Sequence, residues 1–421
     1  MNSRDFKNAC LRTLRFLQQK HEIQMLHDAH DPSRHNGNCG KPHEPQPHDP
    51  EPVDPKVEQS KSIYQGMIQN QGSNLTGLVT SFPQDAGLQN QAFTYDEALA
   101  GLVLIAQKDN AAAKKIFDFY ESQWEGQGFY TAYNTQAADG AKIETRRIVG
   151  PTVWMGLFAL RYYEATGDTR ALALATKTGK WVAENVPHRL GGVAMGAEDN
   201  WSGTFSTENN LSYYALANAL SAKAQTADDR ALFNTEKTGV AAWIKDQNYD
   251  AGTGLFKRGP SDQTNAFDVN SWALLVFGAQ GLQDTFGINA ADLVKKIEDS
   301  FGVQNDGSFG GAVSTSKGFD FSDSSNAQLA GRTGLKWVEG TNHMIVAYQA
   351  LGAQDKAKHF LELNAQNAVT QGGQTSYLYT DAPAGTKVFH DIAFWDTPSG
   401  AGLASTAWVY FALNGINPLA P

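Results

Sequence analysis

Cysteine is nearly missing from this chain: Cys10 and Cys39 are its two, and both fall within the first fifty-five residues. The long remainder is expected to fold without a disulfide, on the apolar core that a chain of this size can bury. A basic excess is missing too. Acidic residues outnumber basic ones, 44 to 34, for a net charge of −10, which excludes the basic face a nucleic-acid partner requires. No run of 18 apolar residues occurs, so no helix is expected to span a bilayer. The opening MNSRDFKNACLRTLRFLQQK has neither an apolar stretch nor a small-residue cleavage site. No secretory leader is expected in it, and the compartment stays open. Histidine is scarce after the opening region, where only His188, His343, His359 and His390 remain.

Proline and the other histidines gather early, in DPSRHNGNCGKPHEPQPHDPEPVDP and just before it. That segment holds too few apolar residues to offset the conformational entropy of folding. Residues 1–55 are therefore expected to form a short amphipathic helix through Phe6, Cys10, Leu14 and Leu17, followed by an extended linker. Its histidines read as a solvated tract rather than a zinc site, so neither a metal nor another cofactor is expected.

The rest, 56–421, is dominated by a recurrence. Six segments open on a polar or Pro-containing start and continue into an apolar, Ala-rich helix. They are TYDEALAGLVLIA, GPTVWMGLFALRYYEATG, STENNLSYYALANAL, FDVNSWALLVFGAQG, WVEGTNHMIVAYQALG and TPSGAGLASTAWVYFALNG. Anchored on Asp96, Pro151, Glu208, Asp268, Glu339 and Pro398, the steps are 55, 57, 60, 71 and 59 residues. Such a unit, about sixty residues long, holds two helices and their connections. Six more helices lie between, each with one apolar stripe opposite Lys, Glu and Asp, as in AADLVKKIEDSF. Six inner helices, apolar all round, alternating with six amphipathic outer ones predict an all-α double ring, an (α/α)6 toroid. Inner-to-outer links are short and outer-to-inner links long, so the long loops gather where the inner helices begin. Sites usually sit on such loops.

Through TYDEAL, VGPTVW, STENNLSYYAL, DVNSW, WVEGTNH and LASTAWVYFALNGINP the chain resembles the six-hairpin glycosidase superfamily. The resemblance implies an (α/α)6 toroid that acts on a polysaccharide or oligosaccharide; a monomer is expected. QNDGSFGG is similar to turns of terpenoid cyclases and prenyltransferases, which share the toroid. Those enzymes need an Asp-rich motif or a zinc set with Cys, and this core has no Cys.

Glycoside hydrolysis needs two carboxyl groups flanking the scissile bond, one protonated and one ionised. Asp96, Glu208, Asp268 and Glu339 all fall in the first turn of an inner helix, and a toroid brings those turns together around one axis. They are the candidate catalytic set, although first-turn acids also serve as ordinary helix caps. Glu208 and Glu339 are the candidates for the general acid, with Asp96 or Asp268 as the base. Candidate sugar contacts are Glu97, Asn209, Asn270 and His343 on the inner helices, and Tyr130, Arg146, Trp201, Trp395 and Asp396 on the loops. Trp201, in the polar run GAEDNWSGTFSTEN, is the chosen stacking platform. Two alternatives stay open: a sugar epimerase or polysaccharide lyase on the same toroid, and a glycan-binding protein without chemistry.

Overall fold

In a computed structural model of the chain, which describes residues 54–262, 264–392 and 396–420, the helices fall into two sets. The inner set is α2 (Thr94–Ala106), α4 (Val149–Thr166), α6 (Thr207–Lys223), α8 (Phe267–Phe286), α11 (Val338–Ala350) and α13 (Leu403–Asn414). The outer set is α1 (Pro55–Gly72), α3 (Asn110–Ser122), α5 (Thr169–Asn185), α7 (Ala227–Trp243), α9 (Ala290–Phe301) and α12 (Gln354–Leu363). A thirteenth, short helix, α10 (Ser324–Leu329), sits in the loop before α11 and has no counterpart in the expected pattern. Burial separates the sets as the residue patterns require. Every residue of α13 from Leu403 to Ala412 is buried, whereas α9 buries Leu293, Val294, Ile297 and Phe301 and turns Lys295, Lys296 and Asp299 to solvent.

The short inner-to-outer links are built from paired caps. Gly167, at φ 74°, ends α4, and Asp168 then accepts the Arg170 N–H to start α5. Gly287, at φ 72°, and Asn289 do the same between α8 and α9. A left-handed residue followed at once by a side-chain cap reverses the chain within two or three residues.

Each inner helix packs on the next, and α13 packs back on α2, so the inner ring closes. The outer partner of α13 is α1, from the opposite end of the described chain, and Asn414 donates to Ser60 Oγ at 3.0 Å across that seam. All six inner and six outer helices lie where the sequence periods put them. No described helix is long and apolar enough to cross a membrane. The expected amino-terminal helix, the histidine tract and both cysteines lie outside the described residues.

The long loops carry small antiparallel strands: β1 (Gln91–Phe93), β2 (Ala132–Asn134) and β3 (Lys142–Glu144) in one sheet, then four hairpins. These are β4–β5 (His188–Arg189, Gly192–Val193), β6–β7 (Tyr249–Asp250, Leu255–Phe256), β8–β9 (Gly302–Gln304, Ser316–Phe319) and β10–β11 (Ala368–Gln371, Gln374–Tyr377).

Two hydrogen bonds, repeated in all six units, stitch these loops to the ring. The side chain at the fourth position of each inner helix accepts a backbone N–H from its own preceding loop. The pairs are Glu97 with Val79, Thr152 with Phe129, Asn210 with Val193, Asn270 with Phe256, Thr341 with Phe319, and Thr406 with Tyr377. Two residues further along each loop, a carbonyl accepts the first N–H of the preceding inner helix. Thr131, Met195, Arg258, Phe321, Tyr379 and Ser81 accept from Thr94, Val149, Thr207, Phe267, Val338 and Leu403 at 2.8–3.2 Å. Five of the six inner helices consequently start without a side-chain cap. The neighbouring repeat satisfies the exposed N–H instead.

Candidate active site

Side chains one helical turn apart share a face, and on the inner helices the second and sixth positions face the ring axis. The second positions are Tyr95, Gly150, Glu208, Asp268, Glu339 and Ala404. They meet across the ring: the Tyr95 hydroxyl donates to Glu339 Oε1 at 2.6 Å, and Trp408 Nε1 donates to Tyr95 Oη at 2.9 Å. The sixth positions include Trp154, Trp272, His343 and Trp408, which close the axis beneath that layer. Trp154 and Trp272 lie 5.4 Å apart, and His343 and Trp408 4.2 Å apart, both edge to face. The result is a bowl with acids around its wall and aromatic rings as its floor.

Crowding acids in a poorly solvated bowl shifts their titration. Burial, and then the charges of Asp268 and Glu339, raise Glu208 to about 8. Glu339, 5% exposed, is raised by burial to about 7, against the pull of the Tyr95 hydroxyl. Asp96 is the third residue of α2 and also reaches about 7. Burial dominates there, opposed by the Ser81 hydroxyl and reinforced by Glu339. Its Oδ2 has no partner among the described residues. Asp268 is raised by burial as well, but the Val269 N–H and the Arg258 guanidinium counter the shift. His343 is fully buried and pushed down to about 3, so its ring is neutral, between Ser271 Oγ at 3.3 Å from Nδ1 and Glu339 Oε1 at 3.6 Å from Nε2.

The four acids expected to cluster thus do so. Several expected sugar contacts are occupied otherwise. Glu97 is fully buried, with Oε1 on the Val79 N–H and a pKa raised well above the usual value by burial. Asn270 is fully buried, its amide shared between both backbone groups of Phe256 and the Ala266 carbonyl. Both occupy the fourth position, which faces the loop rather than the axis. Tyr130 carries Arg147 at 4.0 Å and Lys142 at 4.4 Å over its ring. Arg146 pairs with Glu144 near the surface, and Asp396 is exposed. His343 belongs to the bowl as floor. Asn209 stands beside Glu208, with its Nδ2 unpartnered and its Oδ1 filling the space a side chain at Gly150 would need. Trp201 is half-exposed on the loop before α6. Trp395 lies outside the described residues.

Tyr95, Gly150, Arg258 and the tryptophan floor escaped the residue reading. The floor had a signal, an aromatic ring or His at the sixth position of four inner helices, but it reads like ordinary core. Arg258 had none, because it sits on a loop, paired with Asp262 and Asp391, and acts on Asp268 through its charge alone. Among the described residues no group of three His, Cys, Asp or Glu side chains is placed to hold a metal ion.

No family model and no curated protein matches this chain. Solved structures do. A glycosidase matches with a TM-score of 0.62 at 12% identity, over 87% of this chain and 98% of its own, and one of its variants was solved with glucose. The cellobiose 2-epimerase of Bacillus thermoamylovorans matches at 0.59 and 11%, over 85% and 98%. A family 76 glycoside hydrolase from a bovine Bacteroides thetaiotaomicron strain matches at 0.56 and 13%, over 86% and 78%. The chain shares the fold of these structures, a closed ring of six inner helices with six outer ones.

Proposed function

We propose that this protein is a glycoside hydrolase that cuts a polysaccharide internally, with Glu208 as the proton donor and Asp268 as the opposing carboxylate. The observation that carries the reading is the contrast between these two acids on adjacent inner helices. Burial raises both: Glu208 to about 8, with the charges of Asp268 and Glu339 adding to it, and Asp268 against the pull of the Val269 N–H and the charge of Arg258. Two buried neighbouring carboxyls, one surrounded by acids and one beside an N–H and a cation, are suited to be the acid and the base that glycosidic cleavage requires. Glu208 would protonate the departing oxygen, while Asp268 attacks the anomeric carbon or activates the water that does. The charge of Asp268 then favours the positive sugar ring of the transition state. Tyr95, held by Trp408, fixes Glu339 in that wall. Trp201, half-exposed on the loop before α6, offers apolar surface to the sugar's C–H faces.

An epimerase that removes a proton beside a carbonyl needs a base with access to the substrate. His343 is the histidine of this bowl, and it is fully buried with its pKa depressed to about 3. That arrangement favours hydrolysis. Incubation with a panel of glycans, followed by NMR of the products, is the test. New reducing ends on fragments of many lengths are expected. Unsaturated ends, inverted sugars or a single terminal sugar released each time would replace the reading with a lyase, an epimerase or an exo-acting enzyme.

A further inference from the structure

A cavity of about 560 Å³ lies outside the inner ring, between α1, the segment 73–89 and the β10–β11 hairpin. Its size suits a small oligosaccharide, since ligand pockets run from about 300 to 1,000 Å³. It is distinct from the carboxylate bowl. Thr406, which lines it, points from α13 toward the Tyr377 N–H of β11, on the opposite side of that helix from the axis.

The lining has one unusual property: none of its side chains is charged, in a chain of which 19% is charged. Ile63, Met67, Val79 and Leu403 are buried at its floor. Carboxamides stand around its rim. Those of Gln69, Gln89, Gln371 and Gln374 make no side-chain hydrogen bond among the described residues. A carboxamide both donates and accepts, which is what each hydroxyl of a sugar also does. An apolar floor within a ring of such groups matches a pyranose, whose C–H faces are apolar and whose edge is hydroxyls. A charged ligand would meet no counter-charge, and a lipid chain would leave the amides unpaired.

We propose that this seam groove is a second saccharide site, for an uncharged oligosaccharide, independent of the chemistry in the bowl. Gly66 of α1 gives a clean way to close it. A Cβ there would meet Gln374 Cβ at 3.6 Å, ordinary contact, so Gly66→Leu adds bulk into the groove while improving helix propensity. Gln69→Ala with Gln374→Ala removes rim groups instead. Binding of neutral gluco-, manno-, galacto- and xylo-oligosaccharides is measured by calorimetry and NMR on the full chain carrying Glu208→Gln, so that turnover does not interfere. One class of site should weaken at least tenfold in either groove variant, with a melting temperature no lower than the parent's and unchanged response of any bowl site to Trp201→Ala. If the bowl binds nothing, groove binding stands alone and the hydrolase reading fails separately. Saccharide binding that neither groove variant alters, binding nowhere in the panel, or equal binding of an uncharged Ser/Gly peptide would overturn the proposal.

Discussion

Glu97 and Glu208 both sit in the first turn of an inner helix, yet their surroundings assign them opposite parts. Glu97 faces its own loop and holds the Val79 N–H; Glu208 faces the axis among other acids. An amide in place of Glu97 can keep that bond, so Glu97→Gln should leave turnover within about threefold of the parent, as checked by initial rates. Glu208 also carries a stability cost. Its folded pKa, about 8, stands above its ordinary 4.5, so the protonated form is the one the fold favours. Its contribution is therefore intact below about pH 4.5 and is lost as pH rises toward about 8. Even halved for solvent in the bowl, a shift of several units costs on the order of 2 kcal/mol. Glu208→Gln should raise the melting temperature at about pH 8.5 and leave it nearly unchanged at about pH 4.5. A variant less stable than the parent at the higher pH would show that the ionised carboxylate makes contacts the fold depends on.

At the scale of the element, position along the inner helix decides what a polar residue does. Second and sixth positions build the bowl, and fourth positions hold the loops. Chain periodicity made the helices legible, because an apolar run buried on both sides differs from one with a charged face. The acids at the second position were legible too, once a ring was assumed. Asn270 and Glu97 were read as sugar contacts because a polar residue in a first turn looks the same whether it faces the axis or a hairpin. Counting from the first helical residue separates the two, but helix starts are the boundary that sequence defines least well. The strands were illegible for a different reason: two to four residues long, they are set by the hydrogen bonds the ring offers, not by their own pattern. Asn270→Ala should consequently cost about 1–3 kcal/mol by leaving the buried Phe256 groups unpaired, with little change in the rate constant of the folded enzyme. Chemical denaturation beside steady-state kinetics separates these effects.

For the whole molecule, closure is the central structural fact. The bond from Leu403 N–H to the Ser81 carbonyl and the packing of α1 on α13 join the two ends of the described residues into one ring. Removing α1 should thus expose the buried outer side of α13 and abolish a single cooperative melting transition. A start trimmed to just before Asp54 is expected, from the composition of the removed segment, to melt as the full chain does. The same closure brings Glu208 and Asp268 to one axis, and the proposed hydrolysis rests on their difference. The most direct test is turnover of a glycan the enzyme cleaves, compared between Glu208→Gln, Asp268→Asn and Glu97→Gln near pH 6. The account predicts losses of about 10²-fold or more for the first two, the usual range for a missing acid or base, and near-parental turnover for the third. Full activity in Glu208→Gln, or an equal loss in all three, would contradict it.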